Sequence, residues 1–434
     1  MRHNGVGVVV GVIEPAGRRV VAYGKSGAPD GRGLSGDTLF MIGSVSKTFV
    51  GLLLAEMVLS GEVKLDDPAS KYLPPGVKML ERGKPITLRD LSLHTSGLPS
   101  MPTNLDLRGQ PDPTEAYSVE DLYRFLSTYT PPREPGGNYG YSNLGVSLLG
   151  RLLALRAGQE YEELLRERVL LPLGMTSTAI NLSPAQLERL APGHDKDLQL
   201  VHTPEMKTLS ASGSLRSSVN DLLNYVAANL GYQETSLRQA MQYQRSAARV
   251  PATSGAQSPG SPYQALGWRT RRTQGQETYY HDGGKQGYRS GVAFDPVRRT
   301  GVIVLSNART DDQPIALARH LLTGAPLRPP PPAVPVRTFV KVDRKLLDSY
   351  AGQYRAGEDQ EIRVARRDDY LMIDDVGSGA SEFFAESARE FGTRVGDEQV
   401  TFRVEPDGEV IGLTWYPDGR SSGKSQEAVR LASR

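Results

Sequence analysis

Ser44 and Lys47 stand three residues apart in Met41-Ile42-Gly43-Ser44-Val45-Ser46-Lys47-Thr48-Phe49, ahead of the apolar run at 50–59. A helix starting near Ser44 puts both on one face, at an N-terminus whose unpaired N–H groups favour developing negative charge. A serine hydroxyl is a poor nucleophile until a neighbour takes its proton. A lysine does that only when burial or nearby positive charge lowers its pKa. The spacing alone does not decide the matter, because Ser421-Ser422-Gly423-Lys424 repeats it. That copy follows Pro417-Asp418-Gly419 and leads into no apolar helix, so it reads as a solvated loop.

Two further groups carry chemistry. Tyr141-Ser142-Asn143 precedes a helical pattern over 144–157. A phenol near the nucleophile relays a proton if positive charge lowers its pKa, and an asparagine amide hydrogen-bonds both an amine and a substrate carbonyl. A loop tyrosine beside a helix cap is the plain alternative. His281-Asp282-Gly283-Gly284 follows a strand pattern over 277–280. Glycines there admit a ligand close to the backbone, and an N–H among them would complete an oxyanion hole with the N–H of Ser44. A bulge or turn with an incidental histidine is the plain alternative here.

The elements that must position these residues follow from periodicity. Strands are predicted over 6–13 and 18–23, around the turn Pro15-Ala16-Gly17. The helix led by Ser44 ends near Ser60-Gly61. From about 65 to 230 the pattern is mainly helical, clearest over 121–126, 144–157, 161–171 and 218–230. Strands return over 266–271, 277–280, 290–294 and 301–306, with a closing helix over 315–322. Sequential strands favour an antiparallel sheet over alternating βαβ units, giving an α+β domain over 1–325. Pro329-Pro330-Pro331-Pro332 marks a stiff linker, taken as 326–337. Beyond it, strand patterns over 360–365, 370–373, 399–404 and 410–416 predict a small all-β barrel or sandwich over 338–434.

Composition limits the function classes. The 434 residues suggest two domains. At 38% hydrophobic and 23% charged, with net charge +2 and scattered Lys and Arg, the chain shows no footprint for nucleic acid. With no cysteine and only six histidines, none paired at metal spacing, no metal site or cofactor is expected. No apolar run approaches the ~20 residues of a membrane helix. The 6–13 segment is β-branched and glycine-broken, so it reads as a strand and not as a signal peptide. The expected partner is a small molecule or short peptide; a homo-oligomer is left open.

Taken in order, Ser-x-x-Lys, Tyr-x-Asn and a basic-x-Gly triplet resemble the motif set of the penicillin-recognising serine hydrolases. The resemblance runs over about 6–325. It is nearest the class C β-lactamases, the His-x-Gly D-alanyl-D-alanine carboxypeptidases, and related esterases and D-aminopeptidases. Leu93-His94-Thr95-Ser96-Gly97-Leu98-Pro99, Pro172-Leu173-Gly174-Met175, Gly213-Ser214-Leu215 and Val304-Leu305-Ser306-Asn307 fit the same group. The resemblance implies a serine β-lactamase/transpeptidase-like domain acting through an acyl-enzyme on small amides or esters. Ser44 would be the acylated nucleophile, with Lys47 and Tyr141 sharing the proton transfers. Asn143 would orient, His281 and Gly283 would form the third motif, and Gly284 would supply the second oxyanion N–H. It further implies a lipocalin-like C-terminal barrel and a periplasmic or extracellular setting, a cytoplasmic one being left open. His94 is expected to be structural.

The third motif departs from the common pattern. It lacks the lysine usual in class C β-lactamases, and it has Asp282 and Gly284 where hydroxyl residues are common. Lys285-Gln286-Gly287 offers another basic-x-Gly register, although Gly283, Gly287 and Tyr288 align better from His281. A catalytically inactive ligand-binding or scaffold protein on the same fold is the competing expectation.

Overall fold

Gly7–Glu14 (β1) and Gly17–Gly24 (β2) form an antiparallel hairpin, with Gly7 opposite Gly24 and Glu14 opposite Gly17. They edge a sheet completed by the late strands Val250–Pro251 (β3), Tyr263–Gln264 (β4), Arg269–Thr273 (β5), Gln276–Lys285 (β6), Tyr288–Asp295 (β7) and Thr300–Ser306 (β8). The spatial order is β2-β1-β8-β7-β6-β5-β4-β3, antiparallel throughout. The N-terminal strands thus close onto β8, with Val8 opposite Ser306 and Ile13 opposite Gly301. This computed structural model describes residues 6–107, 113–195, 198–202, 206–247, 249–252, 261–273, 276–285, 287–308, 314–327, 337–357, 360–375, 379–394 and 397–431. Most of the proline-rich linker and Gln286 lie outside them.

Apart from the single turn Pro184–Leu187, the α-helices described in this unit are Ser46–Leu59 (α1), Leu88–Leu93 (α2), Val119–Thr128 (α3), Asn143–Ala157 (α4), Tyr161–Leu165 (α5), Val219–Asn229 (α6), Arg238–Ser246 (α7) and Pro314–Thr323 (α8). Several starts are written in side chains. Thr87 and Asp90 close a capping box on α2, and the Ser142 and Ser218 hydroxyls accept from Gly145 N and Asp221 N. One sheet face packs Tyr280, Ala293, Val302 and Val304 against Ile315, Ala318 and Leu322 of α8. On the other face an aromatic chain runs from Phe49 of α1 to Tyr225 of α6, then Trp268, Phe294 of β7 and Tyr279 of β6. Successive ring centroids lie 4.5, 5.7, 5.1 and 5.3 Å apart. Burying each such ring contributes roughly 2–3 kcal/mol, so α1 is fixed firmly against the sheet. Its residues from Ser46 to Ala55 are all buried, which makes it a central helix and not a surface amphipath.

Three local expectations change. The predicted helix over 161–171 is an α-helical turn that widens to a π turn at Arg166–Leu170 and tightens at Leu171–Leu173, where Pro172 cannot donate. The strand predicted over 277–280 runs on to Lys285, so His281-Asp282-Gly283-Gly284 is strand and not a turn. The helix α7 was not anticipated, because its buried residues Ala240, Met241 and Gln244 give little apolar signal.

The chain divides into two compact units, Met1–Leu98 with Val119–Pro330, and Pro99–Ser118 with Pro331–Arg434. The second holds the helix Arg344–Tyr350 (α9). It also holds eight strands: Gly352–Ala356 (β9), Gln360–Arg367 (β10), Tyr370–Asp375 (β11), Gly379–Ala385 (β12), Glu390–Gly392 (β13), Gln399–Val404 (β14), Val410–Tyr416 (β15) and Gln426–Arg430 (β16). Each pairs with the next, and β9 pairs with β16, so the barrel closes and leaves no edge. Of the two all-β architectures expected, the barrel is the one present. Its interior is filled by Tyr350, Tyr354, Phe383, Phe391, Phe402 and Trp415 among aliphatic residues, with Tyr350 stacked on Phe402 at 4.0 Å. Among the described residues no helix is long and apolar enough to cross a membrane.

Candidate active site

Ser44 sits in a 3₁₀ turn, Gly43–Val45, and α1 proper begins two residues later at Ser46. Gly43 has φ +51°, a left-handed conformation that glycine adopts without strain and that ends any helix running back from α1. The turn is tied down from both sides. Ile42 N donates to Leu215 O at 2.9 Å, and the Ser290 hydroxyl of β7 donates to Ile42 O at 2.7 Å. Gly283 of β6 lies so close that a Cβ there would overlap the Ile42 carbonyl oxygen. A Cβ on Gly43 would lie 2.8 Å from Gly284 N. The backbone N–H of Gly284 therefore borders the turn that carries Ser44.

Lys47 is the chemical centre. It is 1% exposed, and its Nζ lies 3.0 Å from Ser44 Oγ, 2.7 Å from Asn143 Oδ1 and 2.7 Å from the Ser212 carbonyl oxygen. None of these three is a carboxylate. Burial pushes the Lys47 pKa well below that of an ordinary lysine; Arg269 pushes the same way, and Asp282 opposes. A neutral amine has two N–H donors and one lone pair. Asn143 Oδ1 and the Ser212 carbonyl only accept, so they take the two N–H groups and the lone pair is left facing the Ser44 hydroxyl. That is the arrangement a proton acceptor needs.

The Tyr141 phenol interacts with the Ser44 side chain, and Lys47 Nζ lies 4.9 Å from its ring centroid. The condition of a lowered phenol pKa is not met. Burial raises it, and the opposing effects of Ser44 and Arg269 are smaller. Tyr141 is thus a phenol at neutral pH, able to pass a proton but not to start as a phenolate. Its loop is set by His94, the left-handed C-cap of α2. His94 Nδ1 accepts from Ser142 N at 3.1 Å, His94 O accepts from Gly140 N at 2.8 Å, and the His94 and Tyr141 rings lie 4.5 Å apart. This matches the structural part expected for His94.

His281 is 1% exposed, and its Nδ1 lies 2.7 Å from the Asp282 carbonyl oxygen. A carbonyl only accepts, so Nδ1 carries the proton and Nε2 keeps a lone pair. That Nε2 is buried without a hydrogen-bond partner. Burial first, then Arg269, hold the ring's pKa far below the ordinary histidine value, so it is neutral. The structure therefore brings Ser44, Lys47, Tyr141, Asn143 and the Gly283–Gly284 backbone together, with His281 as a neutral neighbour.

Sequence reading missed two groups. The Ser212 carbonyl is backbone, and no residue type marks it. Arg269 of β5 sits among several arginines in Trp268-Arg269-Thr270-Arg271-Arg272, and nothing local distinguishes it. Its guanidinium carbon lies 5.4 Å from the Tyr141 ring centroid, and NH1 lies 3.3 Å from Asp282 Oδ1. Among the described residues no group of three His, Asp or Glu is placed to hold a metal ion.

The chain is 31% identical over 265 residues to a β-lactamase of Escherichia coli K12, covering 60% of this chain and 65% of that one. It is 30% identical over 224 residues to a β-lactamase of Pseudomonas fluorescens, covering 52% and 60%. It thus spans a little under two thirds of the length of these two relatives. It is also 32% identical over 278 residues to the D-alanyl-D-alanine-carboxypeptidase/endopeptidase AmpH of Escherichia coli K12, covering 60% and 68%. A crystal structure described as a β-lactamase/D-alanine carboxypeptidase from Pseudomonas syringae shares the fold, with TM-score 0.63 at 23% identity, over 74% of this chain and 95% of that one. A class C β-lactamase from Rhodobacter sphaeroides does so with TM-score 0.60 at 24% identity, over 70% and 90%. The β-lactamase family model matches residues 1–325, and on that match the chain belongs to the β-lactamase family.

Proposed function

We propose that the protein is a serine hydrolase that cleaves small amides or esters through an acyl-enzyme on Ser44. The substrates are β-lactams, D-amino-acid peptides or simple carboxylic esters. The observation that carries this reading is the buried Lys47 amine, held by two acceptor-only groups with its third direction on Ser44 Oγ. Lys47 takes the Ser44 proton as Oγ attacks the substrate carbonyl. The N–H groups of Ser44 and Gly284 receive the developing oxyanion, each such donor contributing about 3–4 kcal/mol. The proton then passes through the Tyr141 phenol to the leaving nitrogen or oxygen, and Asn143 keeps the amine in register. Water attacks the acyl-enzyme by the same groups in reverse. The relatives named as β-lactamases and as a carboxypeptidase support the amide side of this range.

Intact-mass analysis after incubation with a fluorophosphonate and with a penicillin tests the chemistry. A single adduct on Ser44 is expected, absent in Ser44→Ala. No adduct with either probe would favour the binding or scaffold alternative. Turnover of a chromogenic cephalosporin against p-nitrophenyl acetate then sorts lactam from ester hydrolysis.

A further inference from the structure

The lysine of the third motif is replaced by a histidine that the fold keeps buried and neutral. Lys47 is faced by Ser44 from its own helix turn, Tyr141 and Asn143 from the start of α4, and the Ser212 carbonyl. His94 lies at the end of α2, His281 and Asp282 on β6, and Arg269 on β5. Both histidines are held neutral, chiefly by burial. The formal charges that reach Lys47 are then Arg269 and Asp282. Arg269 is the first residue of β5: it is opposite Tyr280 of β6, and residues 281–285 run on past it. From there it reaches Asp282 Oδ1 at 3.3 Å and lies 5.4 Å from the Tyr141 ring centroid. Its Nε is buried without a partner. Asp282 keeps a side chain 47% exposed against 28% for Arg269, so the cation is the inner member of the pair.

We propose that Arg269, anchored by Asp282, is a positioning residue for acyl transfer: it supplies beside Tyr141 and Lys47 the positive charge that a third-motif lysine would otherwise bring. The proposal rests on the acyl-enzyme reading for its consequence but not for its measurement. A guanidinium stays charged at any working pH. Placed here it adds to burial in lowering the Lys47 pKa and favours the electron-rich phenol oxygen as Tyr141 passes its proton. Asp282 fixes the guanidinium and partly cancels it. The two members of one ion pair therefore act on Lys47 with opposite sign, which a merely structural salt bridge would not do.

The test is an NMR titration of the Lys47 side chain in the full-length protein, with thermal unfolding to verify the fold. The variants are Arg269→Gln, Arg269→Lys and Asp282→Asn. The Lys47 midpoint is expected to move up in Arg269→Gln, down in Asp282→Asn, and to stay near wild type in Arg269→Lys. The acid limb of kcat/KM follows in the same directions, and kcat falls about tenfold to a hundredfold in Arg269→Gln with KM nearly unchanged. Midpoints that do not move, or that move the same way in Arg269→Gln and Asp282→Asn, overturn the assignment. Opposite shifts without any Ser44 adduct in the wild type would sustain the assignment while removing the acyl-enzyme reading. An adduct without opposite shifts would do the reverse.

Discussion

Each unit encloses an ionisable group, Lys47 completely and Glu386 largely, and the two are treated differently. In the barrel, Glu386 accepts from Gln399 Nε2 at 2.9 and 2.7 Å and from Arg420 NH1 at 2.8 Å, with Arg337 Nε 3.5 Å away. Its charge is neutralised and fully hydrogen-bonded, the condition under which a buried carboxylate is tolerated. In the catalytic unit, Lys47 is more deeply buried yet has only neutral hydrogen-bond partners. A paired charge is inert and its loss is a folding matter. A buried amine left without a counter-ion gives up its proton, and its value lies in reactivity and not in stability.

Changing one member of each cluster should separate the two behaviours. Lys47→Met is expected to lower kcat/KM by about a thousandfold or more, since the serine loses its proton acceptor. Denaturant midpoints should not fall, because the residue removed was never a stabilising ion pair; an unfolded variant would break the contrast. Glu386→Gln should do the opposite. It leaves Arg337 without its anion and Arg420 with only Glu390, 3.7 Å away, and should cost about 3 kcal/mol of stability, while the rate of Ser44 labelling per folded molecule stays at the wild-type value.

Gly283→Ala sharpens the comparison from the backbone side. The added methyl must displace the Ile42 carbonyl, and with it the turn carrying Ser44. A shift of this kind is expected to lower kcat about a hundredfold, with a smaller stability loss, read by combining turnover with thermal unfolding. The smallest effect is on the pH dependence of stability. Because the folded Lys47 pKa is lowered, the unfolded chain holds a proton that the folded chain lacks between that lowered value and the ordinary lysine value of 10.5. Stability therefore rises with pH across this window. Lys47→Met should flatten that rise in urea titrations at several pH values, whereas Glu386→Gln should leave it in place.

Residue identity and order carried much of the site. Ser44-x-x-Lys47 ahead of an apolar helix, Tyr141-x-Asn143 ahead of another, and glycines beside a late strand are all local patterns. Helix propensity and capping are local too, which is why α1 and α4 were legible. The barrel strands β9, β12, β13 and β16 were not, since a barrel strand is stabilised by its neighbours and shows little pattern of its own. Arg269 was not legible for the same kind of reason: its place beside Tyr141 comes from strand pairing across β5 and β6, with no spacing in the sequence to announce it.

The sequence by itself determined which groups could do chemistry and the order of strands, helices and strands that would hold them. Only the tertiary structure decided their protonation. It buried Lys47 away from any carboxylate hydrogen-bond partner, raised the Tyr141 phenol pKa, and silenced His281 while bringing Arg269 beside the same ring. Proton affinity depends on solvent exclusion and on charges within several ångströms, and both are properties of packing between segments far apart in the chain.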